Sequence, residues 1–434
     1  MQMDRHNTNR PRILIDFGGY EFKNMGDTAM LVVAVQRIYE MYPDADLHVF
    51  TTKEDRLKAF LPNVKSVTPR GRLDWQWTAW HIFGGFHKLI PQQFHRNLLQ
   101  LEQHIKTNWP LLAKRWIIYR LAKRGHDLSA MHQYLKLVEN ADIVIATGGG
   151  YITDPFQEHA MRLLQTLAMA RQLGKPIVLL GQGLGPADSP HLLGWTKKIF
   201  PKLSLLTLRE QKNSLPFALG AGAKKNCIRV TGDDAITLAN SFTPERLGRC
   251  IGVNLRVATY SGVQQEQLDV IRNIFSQAGH ELDAELLPVP ISFHDEDSDL
   301  ASLKVILGEE NIDISLDKAE KIIEQVGRCR VVVTGSYHAG VFALSQGVSV
   351  VGVASSEYYR HKFEGLADQF GGGCFIVDME KTEFAKQLFH EIKSAWNNAD
   401  SERDRLLASA SEQIARADLA YLELKKIIEE AMDK

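Results

Sequence analysis

Apolar positions along this chain fall into two alternating patterns. Short runs rich in Val, Ile and Leu end abruptly in Gly, Ser or Asp, and longer stretches with apolar residues at helical spacing follow them. The first run spans 12–17 and is closed by Gly18-Gly19. It leads through a loop to a helix predicted over 28–42, with Met30, Leu31, Val33, Ala34, Val35 and Ile38 on its apolar side and Asp27 at the N-cap position. Further strands are predicted at 47–51, 64–67, 141–147, 176–181, 204–208 and 228–231, several of them followed by glycine-bearing turns.

The pattern breaks at 240–248, around Thr243-Pro244, and then resumes. Strands are predicted at 251–255 and 285–290, with helices over 264–278, 299–307 and 316–326. From Ser401 onward the chain is rich in Ala, Leu and Glu at helical period, as a long terminal helix requires. Strands alternating with helices predict an α/β fold: two Rossmann-like domains, 1–240 and 249–400, facing across a cleft, with helix 401–434 packing back. Residues 70–126, rich in Trp and basic side chains, read as an insertion in the first domain.

One stretch concentrates the candidate chemistry. Residues 330–334 predict a strand ending in Thr334-Gly335-Ser336; 337–346 predict a buried helix closed by Gly347; 348–353 predict a second strand. Parallel strands joined in this way put the turn at the C-terminal edge of the sheet, where ligands bind in open α/β folds. His338 stands in the first helical turn, among unpartnered N–H groups at the positive end of the dipole, beside Ser336 and Tyr337. A helix cap at Ser336 with His338 packed beside it is the plainer reading; an anion site with an acid/base imidazole is the other. Gly148-Gly149-Gly150, after the strand at 141–147, permits close approach of a ligand or of an opposing backbone, without being a GxGxxG or Walker loop.

Composition narrows the class. The 434 residues suit two domains, and 44% hydrophobic against 24% charged is ordinary globular composition. A net charge of −1 gives no global attraction to nucleic acid, which is not expected as a partner. Four scattered cysteines without CxxC spacing predict neither disulfides nor a metal site, and the acidic loop 288–299 has no ligand spacing, so no metal is assigned. A polar N-terminus and the lack of a long apolar run predict a cytoplasmic protein. Residues 109–124 form a basic amphipathic pattern that suits either a helix packed on the domain or peripheral contact with an anionic membrane.

Taken together these motifs resemble the polysaccharide pyruvyltransferase family. The match rests on Asn24-Met25-Gly26-Asp27, the triple glycine at 148–150, the glycine-bearing turn at 182–186, the Arg209-Glu210 pair, the Gly232-Asp233-Asp234 element, and the unit carrying His338, Gly347 and Lys362. One position departs, since the family's Arg before x-His is Ser336 here. The resemblance implies a GT-B-like fold and transfer of pyruvyl from phosphoenolpyruvate, a co-substrate with no further cofactor, to a sugar or lipid-linked glycan of the cell envelope. It implies His338 as catalytic residue, Ser336, Tyr337, Arg256, Arg209 and Lys362 on the donor side, and Asn24, Gly26, Asp27, Gly148, Gly149 and Gly150 on the cleft or acceptor side. A GT-B glycosyltransferase using a nucleotide sugar, and a non-catalytic relative, are the alternatives. The oligomeric state has no sequence signature.

Overall fold

A computed structural model describes residues 10–76, 82–83, 89–255, 265–294, 298–308 and 316–433. Eight strands build the first sheet: β1 (Arg12–Asp16), β2 (Asp46–Phe50), β3 (Lys65–Val67), β4 (Ile143–Ala146), β5 (Gly149–Ile152), β6 (Ile177–Leu184), β7 (Leu205–Leu208) and β8 (Ile228–Val230). Their order is β3-β2-β1-β4-β6-β7-β8, with β5 paired to β6, and every pairing is parallel. Five more build the second: β9 (Cys250–Asn254), β10 (Leu286–Pro288), β11 (Cys329–Thr334), β12 (Ser349–Ala354) and β13 (Cys374–Asp378), in the order β10-β9-β11-β12-β13. Helices cover both faces, which is why β4 and β12 are buried along their whole length and read as unbroken apolar runs.

Each sheet reverses its strand order once, between β1 and β4 in the first and between β9 and β11 in the second. At such a reversal the flanking helices lie on opposite faces, and a crevice opens beyond the carboxyl ends of the strands. The two crevices meet. Met25 N donates to Ile291 O (2.9 Å), and Phe293 N to Lys23 O (2.7 Å), so the loop before the first helix is tied to the second lobe.

Three sequence expectations need correction. The first helix is Met25–Met41 and its cap is Asn24, in extended conformation, whose Oδ1 accepts from Gly26 N (3.0 Å) and Asp27 N (3.2 Å). Asp27 therefore lies inside the first turn, where its charge faces the helix dipole. The triple glycine does not form an open loop, because Gly149 and Gly150 begin β5.

The terminal helix is Phe384–Met432, 49 residues, and starts well before position 401, since no breaker interrupts the amphipathic run after β13. Leu388, Ile392 and Ala395 pack under the second sheet, whereas Tyr421, Leu424 and Ile428 join the core of the first. A single helix thus spans both lobes.

In the long β3-to-β4 crossover, the helix Pro110–Lys123 buries Ala113, Ile117 and Leu121 at i, i+4 and i+8. Leu111, Leu112, Trp116 and Tyr119 face outward, each at least half exposed, so only part of the apolar set packs on the domain. Trp77 and Trp80 lie outside the described residues. No described helix is long and apolar enough to cross a membrane.

Candidate active site

Where the two crevices meet lies a cavity of about 200 Å³. The first lobe lines it with Gly18, Asn24, Asp27, Gly150, Tyr151, Phe156, His159 and Arg209, and the second with Ser336, Tyr337, His338, Tyr358, Tyr359 and Lys362. The second-lobe set is carried by the start of the helix Tyr337–Ser345 and by the helix Glu357–Phe370. Ser336 is the N-cap residue, yet its hydroxyl makes no capping bond. The turn is held instead by Thr334, whose Oγ1 accepts from Ser336 N (2.8 Å) and donates to Asn254 Oδ1 (3.0 Å) at the end of β9.

His338 is 7% exposed and reaches the first lobe. Its Nε2 stands 3.7 Å from Asp233 Oδ2 and 3.5 Å from an Arg209 guanidinium nitrogen. Its ring lies against the first turn of the helix Met25–Met41 so closely that a Cβ on Gly26 would come within 1.9 Å of His338 Cγ. No side chain fits there, which explains the glycine between Asn24 and Asp27. The imidazole is therefore fixed by two helix starts, its own and that of the opposite lobe.

Charge is concentrated around it. Arg209 is buried, pairs with Asp233 (2.8 Å) and donates to Gly181 O (3.0 Å), with its guanidinium over the Tyr337 ring at 4.9 Å. Burial opposes the Arg209 charge, but Asp233 and further neighbours outweigh it and raise its pKa. Asp233 is itself lifted above the ordinary carboxylate range by burial, with Arg209 pulling the other way. Lys362 Nζ sits 4.0 Å over the Tyr358 ring and 5.5 Å from that of Tyr359, beside Gly150. His159, packed against the rings of Tyr20 and Tyr151, is pushed down to about 4, chiefly by burial. It is neutral at pH 7.

Behind Asp233 lies Asp234, 3.6 Å from Arg37. Burial lifts it to about 6 from 3.8, with Arg37 pulling back and Asp233 adding to the rise. Between those pH values the folded chain holds a proton that the unfolded chain has released, so this group's contribution to stability falls as pH rises from about 4 to about 6. Asp234→Asn is expected to raise stability at pH 7 by on the order of 2–3 kcal/mol, with the gain vanishing near pH 4. Arg37 keeps Asp418 as partner (2.7 Å) in the variant. Thermal melts of both proteins across this range check it; an equal gain at all pH values contradicts it.

The polysaccharide pyruvyl transferase family profile matches residues 24–357, from the Asn24 cap through the unit that carries His338. The chain belongs to this family. A search of curated proteins returns no match. Solved structures share the fold at low identity. The S. aureus MnaA–UDP complex superposes with a TM-score of 0.52 at 13% identity, over 93% of this chain and 94% of that one. A UDP-glucosyltransferase from Polygonum tinctorium gives 0.52 at 11%, over 97% and 99%. A glycosyltransferase from Rickettsia africae gives 0.51 at 10%, over 98% and 99%. These likenesses establish the GT-B arrangement of two parallel-sheet lobes and nothing about chemistry.

In this pyruvyl transferase family member the structure brings Asn24, Asp27, Gly150, Arg209, Ser336, Tyr337, His338 and Lys362 to one cavity, with Gly26 beneath the imidazole. Gly148 and Gly149 do not line it; Gly148 lies against Met30 and Gly181, and Gly149 under the Tyr151 ring. Arg256, and residues 295–297 of the acidic loop, lie outside the described residues. Among the described residues no three His, Cys, Asp or Glu side chains meet as a metal site.

Sequence reasoning left Asp233, His159, Tyr358 and Tyr359 out of the site. Asp233 had a signal, its place at the end of the strand now seen as β8. His159 has none, because a histidine in the first turn of the helix Gln157–Gln172 reads as surface.

Proposed function

We propose that this chain transfers a pyruvyl group from phosphoenolpyruvate to two hydroxyls of a glycan, closing a cyclic ketal and releasing phosphate. The observation that carries this reading is His338, paired with Asp233, in a small cationic cavity on a chain of this family. Protonated His338 gives its proton to the methylene carbon of the donor, which becomes the ketal methyl. The cation left at C2 takes the first hydroxyl, phosphate departs, and the second hydroxyl closes the ring. The two hydroxyl protons restore the imidazole and protonate the phosphate, so charge and atoms balance.

Arg209, Lys362 and the N–H groups of two helix starts supply the positive field for the donor's phosphate and carboxylate. Ser336 supplies a hydroxyl where the family's Arg would supply charge, and Lys362 takes that part. Lys362→Ala is therefore expected to weaken phosphoenolpyruvate binding roughly 10-fold and to leave turnover of bound donor within about threefold. Calorimetric titration with single-turnover kinetics checks both numbers, and unchanged donor affinity refutes the assignment of Lys362.

A nucleotide-sugar donor is the competing reading, drawn from the UDP named for one solved relative. The cavity of about 200 Å³ favours the three-carbon donor, since sites for larger ligands span roughly 300–1,000 Å³. Stabilisation in thermal melts by phosphoenolpyruvate and not by UDP-sugars supports the proposal; the reverse pattern refutes it.

The outward face of the helix Pro110–Lys123 fits a protein working on a lipid-linked acceptor. Leu111, Leu112, Trp116 and Tyr119 are exposed beside Arg115, Lys123 and Arg124, with no acidic residue between positions 109 and 126. Apolar and indole side chains ringed by cations suit the headgroup region of an anionic bilayer. Cosedimentation with phosphatidylglycerol vesicles, lost with added salt and in Leu112→Asp/Trp116→Asp, is the expected result. Equal sedimentation of wild type and variant contradicts it.

A further inference from the structure

A second, larger concavity of about 1310 Å³ lies between the helices His95–Asn108, Gln157–Gln172 and Pro190–Ile199. It exceeds the roughly 300–1,000 Å³ of ordinary small-molecule pockets, so it suits an extended ligand. Its lining carries several neutral polar side chains, Gln76, Gln103, Gln157 and Gln165 among them, together with the indole of Trp195.

Two of the amides are incompletely paired. Gln76 is 7% exposed, and its Nε2 donates to Arg162 O (3.0 Å) and Thr166 Oγ1 (3.1 Å). Its Oε1 is buried and accepts no hydrogen bond among the described residues; the same holds for Gln165 Oε1. Buried acceptors left unpaired cost roughly 1–3 kcal/mol each, and two of them in one concavity call for a ligand that donates. An uncharged, hydroxyl-rich chain does so repeatedly, and the indole presents an apolar face to the C–H side of a sugar ring.

The concavity and the reaction cavity border the same helix. Phe156 and His159 line the cavity, whereas Gln157 and Glu158, between them in sequence, line the concavity, so the two flank the start of the helix Gln157–Gln172.

We infer that this groove holds the acceptor's glycan chain, several sugars long, while its terminal sugar enters the cavity at His338. The inference rests on the pyruvyl-transfer reading for its direction, but its binding step is independent of the donor. The test uses the full chain and short oligosaccharides released by mild acid from the envelope of cells lacking this protein. Binding is read by saturation-transfer NMR without donor, and phosphoenolpyruvate binding is titrated separately on the same samples.

The expected result is glycan binding to wild type, weakened at least about tenfold in Trp195→Ala and in Gln165→Leu with donor binding unchanged. Lys362→Ala should show the opposite pattern. Glycan affinity unaltered in both groove variants, or no glycan bound by a wild type that binds donor, overturns the inference. Glycan bound through the groove with no donor binding leaves the groove standing and removes pyruvyl transfer.

Discussion

Replacing His338 by alanine is expected to lower kcat by roughly 10²–10⁴-fold while phosphoenolpyruvate affinity stays within about threefold. The split follows from the placement of the side chain. In the proposed reaction the donor's charges are met by Arg209, Lys362 and backbone N–H groups, none of which the substitution removes, whereas the proton for the methylene carbon comes from the imidazole; all three side chains line the one cavity. In that proposal Asp233, 3.7 Å from Nε2, orients the ring without giving the proton, so Asp233→Asn should lose less rate than His338→Ala. A His338→Ala enzyme of near-normal kcat would remove the proposed acid, and equal losses in kcat and donor affinity would make His338 a binding residue instead.

Arg209→Leu is expected to cost roughly 3–5 kcal/mol of stability and to abolish turnover. Asp233 is 4% exposed and within 2.8 Å of the guanidinium, so removing the cation leaves a desolvated carboxylate with only the more distant His338 imidazole, at 3.7 Å, beside it. The double variant Arg209→Leu/Asp233→Leu should regain much of that stability and no activity, because apolar groups of similar volume tolerate burial where a lone charge does not. Denaturant unfolding of the four proteins of this cycle measures the coupling. A double variant less stable than either single one contradicts the account.

The strands were legible because parallel sheets covered on both faces demand continuous apolar runs, and β4, β11 and β12 supply them. The turn holding Ser336, Tyr337 and His338 was legible for the same reason, since the strand before it ends sharply at Thr334.

What distance along the chain conceals was not legible. Gly26 read as a point where the backbone turns or approaches something closely, and only the opposite lobe shows that what it approaches is the His338 ring. Asp27 read as the cap because Asn24 lay a few residues outside the apolar pattern, although Asn24 Oδ1 is the acceptor of two N–H groups. The terminal helix read short because helical periodicity marks its face and not its start. The glutamine-lined groove joins helices distant in sequence, which leaves no periodic signal at all.

The account is tested most directly by mixing wild type and His338→Ala with phosphoenolpyruvate and a glycan from cells lacking the protein, in heavy water. Glycan mass and phosphate release are then followed together. The predicted result is one ketal per phosphate released, with a single solvent deuteron in the new methyl group, by wild type only. Transfer from a UDP-sugar with none from phosphoenolpyruvate, or equal transfer by His338→Ala, would contradict it.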